Sequence, residues 1–210
     1  MMKKFTSMTL VLAMLLTLFA GCTSADSQTN PTPQETTGAA AELPGSALEI
    51  LENTWAQFAE EEQFPIYGGD METHNAMMEQ DENYVMPSAP GNYDMAYSEN
   101  LPYTLQISAE LVENVDQAAT MIHGMLSNNF TAGVLHLTAG TDAEAFAASV
   151  NEALLTNHWM CGFPERDLVA VIGGEYVVMA FGLQENLTPF QTHLLEAYPD
   201  AQILYNEEIL

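Results

Sequence analysis

Residues 168–181 read LVAVIGGEYVVMAF: two β-branched apolar runs, Leu168 to Ile172 and Tyr176 to Phe181, meeting at Gly173-Gly174. Adjacent glycines supply the positive φ that a tight two-residue turn demands, so the stretch predicts an antiparallel hairpin. Upstream, Thr141 with Glu144 reads as a capping box. It opens an Ala-rich helix over Thr141 to His158, with Phe146, Val150, Leu154 and Leu155 on its buried face. Met121 to Leu126 and Phe130 to Leu137 flank Ser127-Asn128-Asn129, which suits either a hairpin turn or a continuous helix through Leu126. Tyr103 to Ile107 alternates like a strand, and Ala109 to Ala118 fits a short helix. Downstream, Thr188-Pro189 with Gln191 predicts a helix start that Pro199 closes, and Ile203 to Tyr205 reads as a last short strand. Helices interleaved with hairpins, not with single parallel strands, predict an α+β fold. The expected form is a single two-layer domain over residues 43–210, mostly antiparallel sheet with helices on one face.

The half before this region is less regular. Ser46 with Glu49 forms another capping box, and Leu48, Leu51, Trp55 and Phe58 recur at helical spacing up to Phe64-Pro65. Phe64 to Tyr103 carries Gly68-Gly69, four prolines, five of the eight tyrosines and five methionines, with Met71 to Glu79 as its one helical candidate. So long an irregular stretch inside a compact domain is either functional or an insertion. Thr23 to Glu42 has no aromatic residue and no Leu, Ile or Val, so residues 22–42 are expected to be a disordered tether.

At the start, Lys3 and Lys4 precede an apolar run from Met8 to Ala20, too short for the ~20 residues of a bilayer span and suited to a signal-peptide core over residues 1–21. Leu18-Phe19-Ala20-Gly21-Cys22 resembles the lipobox of bacterial lipoproteins, with Phe19 where that pattern usually has leucine. The resemblance implies a diacylglyceryl-modified Cys22 carrying palmitate-type acyl chains, and a location on the extracytoplasmic face of the cell membrane. The order of the Ala132 to Leu137 strand, the Thr141 to His158 helix, Gly162-Phe163-Pro164-Glu165 and the Val169 to Val178 hairpin is similar to that of a family of small Gram-positive lipoproteins known only as a domain of unknown function. It covers roughly the second half of the chain and implies no activity.

Charge excludes more than the motifs include. The chain has 29 Asp and Glu against 3 Lys and Arg, a net −26, and Arg166 is the only basic residue after Lys4 apart from histidines. Nucleic-acid binding needs clustered cations and is excluded as a function class. Cys161 would be a lone thiol once Cys22 is lipidated, so no disulfide framework is expected. With so negative a field around it, a catalytic thiolate is disfavoured, and a small buried hydrophobe is the expected role of Cys161. No Asp-x-Asp-x-Asp-Gly loop, G-x-S-x-G, P-loop, H-E-x-x-H or paired C-x-x-C occurs.

Three features remain as candidates. If 71–79 is helical, Met71, His74 and one of Met77 or Met78 share a face, with Met77 the candidate third ligand, and thioethers with an imidazole suit Cu(I) and other soft metals. The tyrosine-rich stretch from Tyr67 to Tyr103 offers rings for a protein or glycan partner. Arg166 is expected in a structural ion pair with Glu165, Asp167 or another acid. These readings make the chain a lipid-anchored, non-enzymatic binding or envelope-associated module without a cofactor. A soft-metal binder and a cell-envelope hydrolase are the alternatives.

Overall fold

A computed structural model describes residues 43–209. The expected signal peptide, tether and lipidated Cys22 lie outside the described residues. The elements in chain order are α1 (Ala47–Trp55), β1 (Ile66–Tyr67), α2 (Met71–Gln80), β2 (Gly91–Tyr93), α3 (Leu101–Leu105), β3 (Val115–His123), β4 (Phe130–Leu137), α4 (Ala143–Thr156), β5 (Arg166–Ile172), β6 (Tyr176–Gly182), α5 (Gln184–Ala197) and β7 (Gln202–Tyr205). The Gly173-Gly174 hairpin forms as expected, with φ of 62° and 77° at the two glycines and Ala170 opposite Val178. Asn128-Asn129 likewise turns β3 into β4, not a continuous helix.

The seven strands form one antiparallel sheet in the order β1-β3-β4-β6-β5-β7, with β2 also pairing on β3. The fold is therefore α+β with an antiparallel sheet, as the interleaved hairpins predict. The helices, however, cover both faces. Tyr176, Val178 and Ala180 of β6 pack with Ile50, Leu51, Phe190 and Leu194 of α1 and α5, whereas Val177, Met179 and Phe181 pack with Phe146, Val150 and Leu154 of α4. The expected two-layer form with helices on one face is thus corrected to helix, sheet, helix. The physical reason is legible in β5 and β6, whose unbroken apolar runs leave no polar face to give to water.

Two local readings also shift. Tyr103 to Ile107 is not a strand. Leu101 and Leu105, four apart and fully buried, make the one-turn helix α3, which Gln106 ends in the left-handed region at φ 58°. Nor does Thr188-Pro189 start a helix: α5 begins at Gln184, whose N–H donates to Glu165 Oε2 at 2.8 Å, and Pro189 sits in the second turn. The cap comes from 19 residues away, where no local motif could announce it.

The irregular stretch is an excursion from one sheet edge. β1 pairs with Ile122 and His123, β2 with Ala118 to Thr120, and the chain between them leaves and returns to the same strand. The neck closes where Gly68 meets Gly91: a Cβ on Gly68 would lie 2.0 Å from the Gly91 nitrogen, so only glycine permits the approach. No helix among the described residues is long and apolar enough to cross a membrane.

Candidate functional site

A cavity of about 720 Å³ opens at the end of the sheet that carries the Gly173-Gly174 turn. Val171, Ile172 and Ala201 supply buried apolar wall, and Tyr198 and Pro199 line it at the end of α5. Its charged lining residues are Asp142, Glu144 and Asp200, all exposed and all carboxylates. Asp142 stands at the N-terminus of α4, a position whose free N–H groups ordinarily attract anions. Here its own Oδ1 accepts from Glu144 and Ala145 N–H, both at 3.1 Å, so those donors are already spent. Leu43 and Pro44, also lining residues, cross the hairpin turn, where the Tyr176 hydroxyl donates to the Pro44 carbonyl at 3.1 Å. Gly173 takes φ 62°, a left-handed conformation that favours glycine there.

Of Met71, His74 and Met77, only the histidine is buried. His74 is buried, with Nδ1 2.7 Å from the Tyr84 hydroxyl and Nε2 2.7 Å from the Gly68 carbonyl, whereas Met71 and Met77 are 41% and 45% exposed. The carbonyl only accepts, so Nε2 carries the proton and Nδ1 accepts from the tyrosine. No ring nitrogen is left for a metal unless one of these bonds breaks. His74 instead ties α2 to the glycine neck. The tyrosines serve the same excursion: Tyr93 is buried, Tyr67, Tyr84 and Tyr97 are half-buried, and only Tyr103 stands out at 79% exposure.

Cys161 is exposed, not buried, at φ 60° in a turn that Asn128 Nδ2 holds through the Met160 and Gly162 carbonyls at 3.2 and 3.1 Å. Cys161 and His158 do line a shared cleft of about 310 Å³, but no hydrogen bond joins them. A thiol without a base in contact lacks the arrangement that activates a nucleophile. The carboxylates of the large cleft share one exposed rim, whereas an acid and base pair needs two opposed environments. Arg166 pairs not with its sequence neighbours Glu165 or Asp167 but with another acid, Glu208, and with Asn206. Its Nε donates to Asn206 Oδ1 at 2.9 Å, Nη2 to the Asn206 carbonyl at 2.7 Å, and Nη1 lies 3.4 Å from Glu208 Oε1.

The sequence reading passed over His193, which does a cation's work in a chain short of cations. Burial disfavours its charge, but hydrogen bonds to Glu196 at 2.7 Å and Glu62 at 3.0 Å, one on each nitrogen, outweigh that and raise its pKa. It clamps α5 to the segment after α1. Its partners stand 131 and 3 residues away, and only the nearer was visible as an i, i+3 spacing.

Comparison with family models, with curated proteins and with solved structures finds no match to this chain.

Proposed function

We propose that this chain is a lipid-anchored, extracytoplasmic binding module, and that its ligand site is the cleft beside the Gly173-Gly174 turn. The occupant is a small molecule or peptide end with an apolar body and a protonated amine. The observation that carries this reading is the cleft's lining: apolar walls from Val171 and Ile172 under a rim whose every charge is a carboxylate, Asp142, Glu144 and Asp200. Such a rim concentrates cations and repels anions, and the net charge of −26 deepens the bias. An apolar cavity of this size with a few charged groups at its mouth has the usual build of a small-ligand site. The lipobox-like Leu18 to Cys22 supports the anchor.

The test is a matched pair of probes, tryptamine and indole-3-acetate, which share an apolar ring and differ in charge. Calorimetric titration of the protein is expected to show tryptamine binding, weakened several-fold in the double variant Glu144→Gln, Asp200→Asn, and no binding of the acetate. Equal affinity for both probes, or none for tryptamine, would sink the proposal. The intact mass of protein extracted from envelopes checks the anchor, since an unmodified Cys22 contradicts it.

A further inference from the structure

Beneath the last residues of the chain lies a carboxyl group with no adequate partner. Asp167, near the start of β5, has no solvent exposure. Its Oδ1 accepts from the Glu207 N–H at 2.7 Å, its own N–H donates to the Glu207 carbonyl at 3.0 Å, and its Oδ2 has no hydrogen-bond partner. A buried polar oxygen left unpaired is costly even when neutral and far more so when it carries charge. One proton removes the charge and makes Oδ2 a donor. A buried acceptor without a partner stands on the same relay, because Asn151 of α4 donates from Nδ2 to Glu207 Oε2 at 3.0 Å and leaves its Oδ1 unpaired.

Residues 206–209 run over this carboxyl as a strap. Asn206 and Glu208 are held by Arg166, Glu207 by Asp167 and Asn151, and the Ile209 N–H by the Glu165 carbonyl at 2.9 Å. We propose that the strap is an acid-locked latch: with Asp167 protonated it closes over β5, and with Asp167 ionised its end lifts to let water reach the carboxylate. The latch works whether or not the cleft is occupied.

The groups around Asp167 favour this direction. Burial is the main cause that pushes its pKa up to about 6, the Glu207 carboxylate in the strap adds to the rise, and Arg166 on β5 opposes it. Glu165 and Glu208 flank Arg166 with further negative charge. From α4 the polar neighbour is the neutral Asn151, and from β6 the residue opposite is the apolar Phe181. Trp159, its ring tilted 4.9 Å from that of Phe181, brings a buried indole N–H that likewise has no partner. His193 sits on α5 between Glu62 and Glu196, not on the strap.

Hydrogen exchange read by mass spectrometry on the C-terminal peptide of the full chain tests the latch, after correction for intrinsic exchange rates. Between pH 5 and pH 7.5 the wild-type strap is expected to lose protection at least tenfold, while the β4 and β6 peptides keep theirs. In Asp167→Asn the strap should stay protected at both values, since an amide cannot ionise. Should that variant fail to fold, Glu207→Gln replaces it and is expected to lower the pH at which the carboxyl charges and the strap loses protection. Unchanged protection in wild type, or the same pH dependence in Asp167→Asn, would overturn the proposal. So would an unmoved midpoint in Glu207→Gln.

Discussion

Among the described residues two aspartates lie almost wholly inside, one at each edge of the sheet, and their surroundings treat them in opposite ways. Asp70 opens α2 beside the β3 edge, with 2% exposure. Burial pushes its pKa up, but the Asp94 N–H at 2.9 Å, the Thr73 N–H at 2.7 Å and the Thr73 hydroxyl at 3.0 Å outweigh that and hold it below the usual carboxylate range. Asp167, under the strap beyond β7, receives one side-chain hydrogen bond and is pushed up to about 6. Burial alone therefore does not decide what a carboxylate does. The number of donors aimed at it does: three fix a permanent anion, and one leaves a group that gains by taking a proton.

The comparison breaks most visibly if the donors at Asp70 lose their acceptor. Asp70→Ala removes the cap of α2 and strands the Asp94 N–H, with an expected cost of about 2–3 kcal/mol in denaturant unfolding. The damage should concentrate in residues 68–94, because the neck at Gly68 and Gly91 and the bond from the Gly69 N–H to the Thr120 hydroxyl at 2.9 Å depend on the same corner. A loss below about 0.5 kcal/mol would show that water replaces the aspartate freely.

The next effect has the opposite sign. An unfolded aspartate ionises near 3.8 and the folded Asp167 near 6, so between those values the native state holds the extra proton and stability falls as pH rises. Asp70 acts the other way: its contribution is present above 3.8 and is lost as pH falls through its depressed folded value. His193, raised in the fold, contributes below 6.5 and loses its contribution as pH climbs through its folded value. Asp167→Asn should thus stabilise the protein by about 1–2 kcal/mol at pH 7.5, allowing for solvent screening near the exposed strap, and by nothing measurable at pH 4. Melting curves at the two pH values check this. A gain of equal size at both would assign the effect to packing, not ionisation.

How far each edge was legible in the sequence follows from where its partners lie. Asp70, Thr73 and His74 sit within one helical turn, and the helix from Met71 was readable from the residues alone. The buried side of that helix was not, because Tyr84 and Gly68 claim the two nitrogens of His74 through contacts no periodicity encodes. The hairpin at Gly173-Gly174 was fully legible, since its turn chemistry is local. The second helical layer was half legible: Phe146, Val150 and Leu154 announced a buried face, and the unbroken runs of β5 and β6 demanded cover on both sides, yet the alternation was read as one-sided. The strap was invisible, for Asp167 and Glu207 are 40 residues apart and look like two more acids among 29. The cleft gave no signal either, because its walls come from Leu43, α4, the hairpin turn and the end of α5, four places brought together only by the sheet.

The smallest effect sharpens the comparison most, because it acts on the strap without touching the carboxyl. Arg166 donates to two acceptors on the exposed Asn206 and lies beside Glu208, whose side chain is 74% exposed. Neither partner is stranded in an apolar site when the guanidinium is removed, so the loss in Arg166→Met is expected at about 0.5–1 kcal/mol near pH 5. A buried pair would instead cost about 3–5 kcal/mol, and a loss of that size would show the strap to be more deeply packed than its exposure implies. The pH dependence carries the sharper information. Arg166 is the cation that favours the ionised form of Asp167, so its removal should raise the carboxyl's pKa further and widen the range over which the native state holds its proton. The pH at which the strap loses exchange protection should therefore move upward in Arg166→Met, while it moves downward in Glu207→Gln. Movement of both midpoints in one direction would mean that the transition follows the general loosening of a cut strap and not the charge on Asp167.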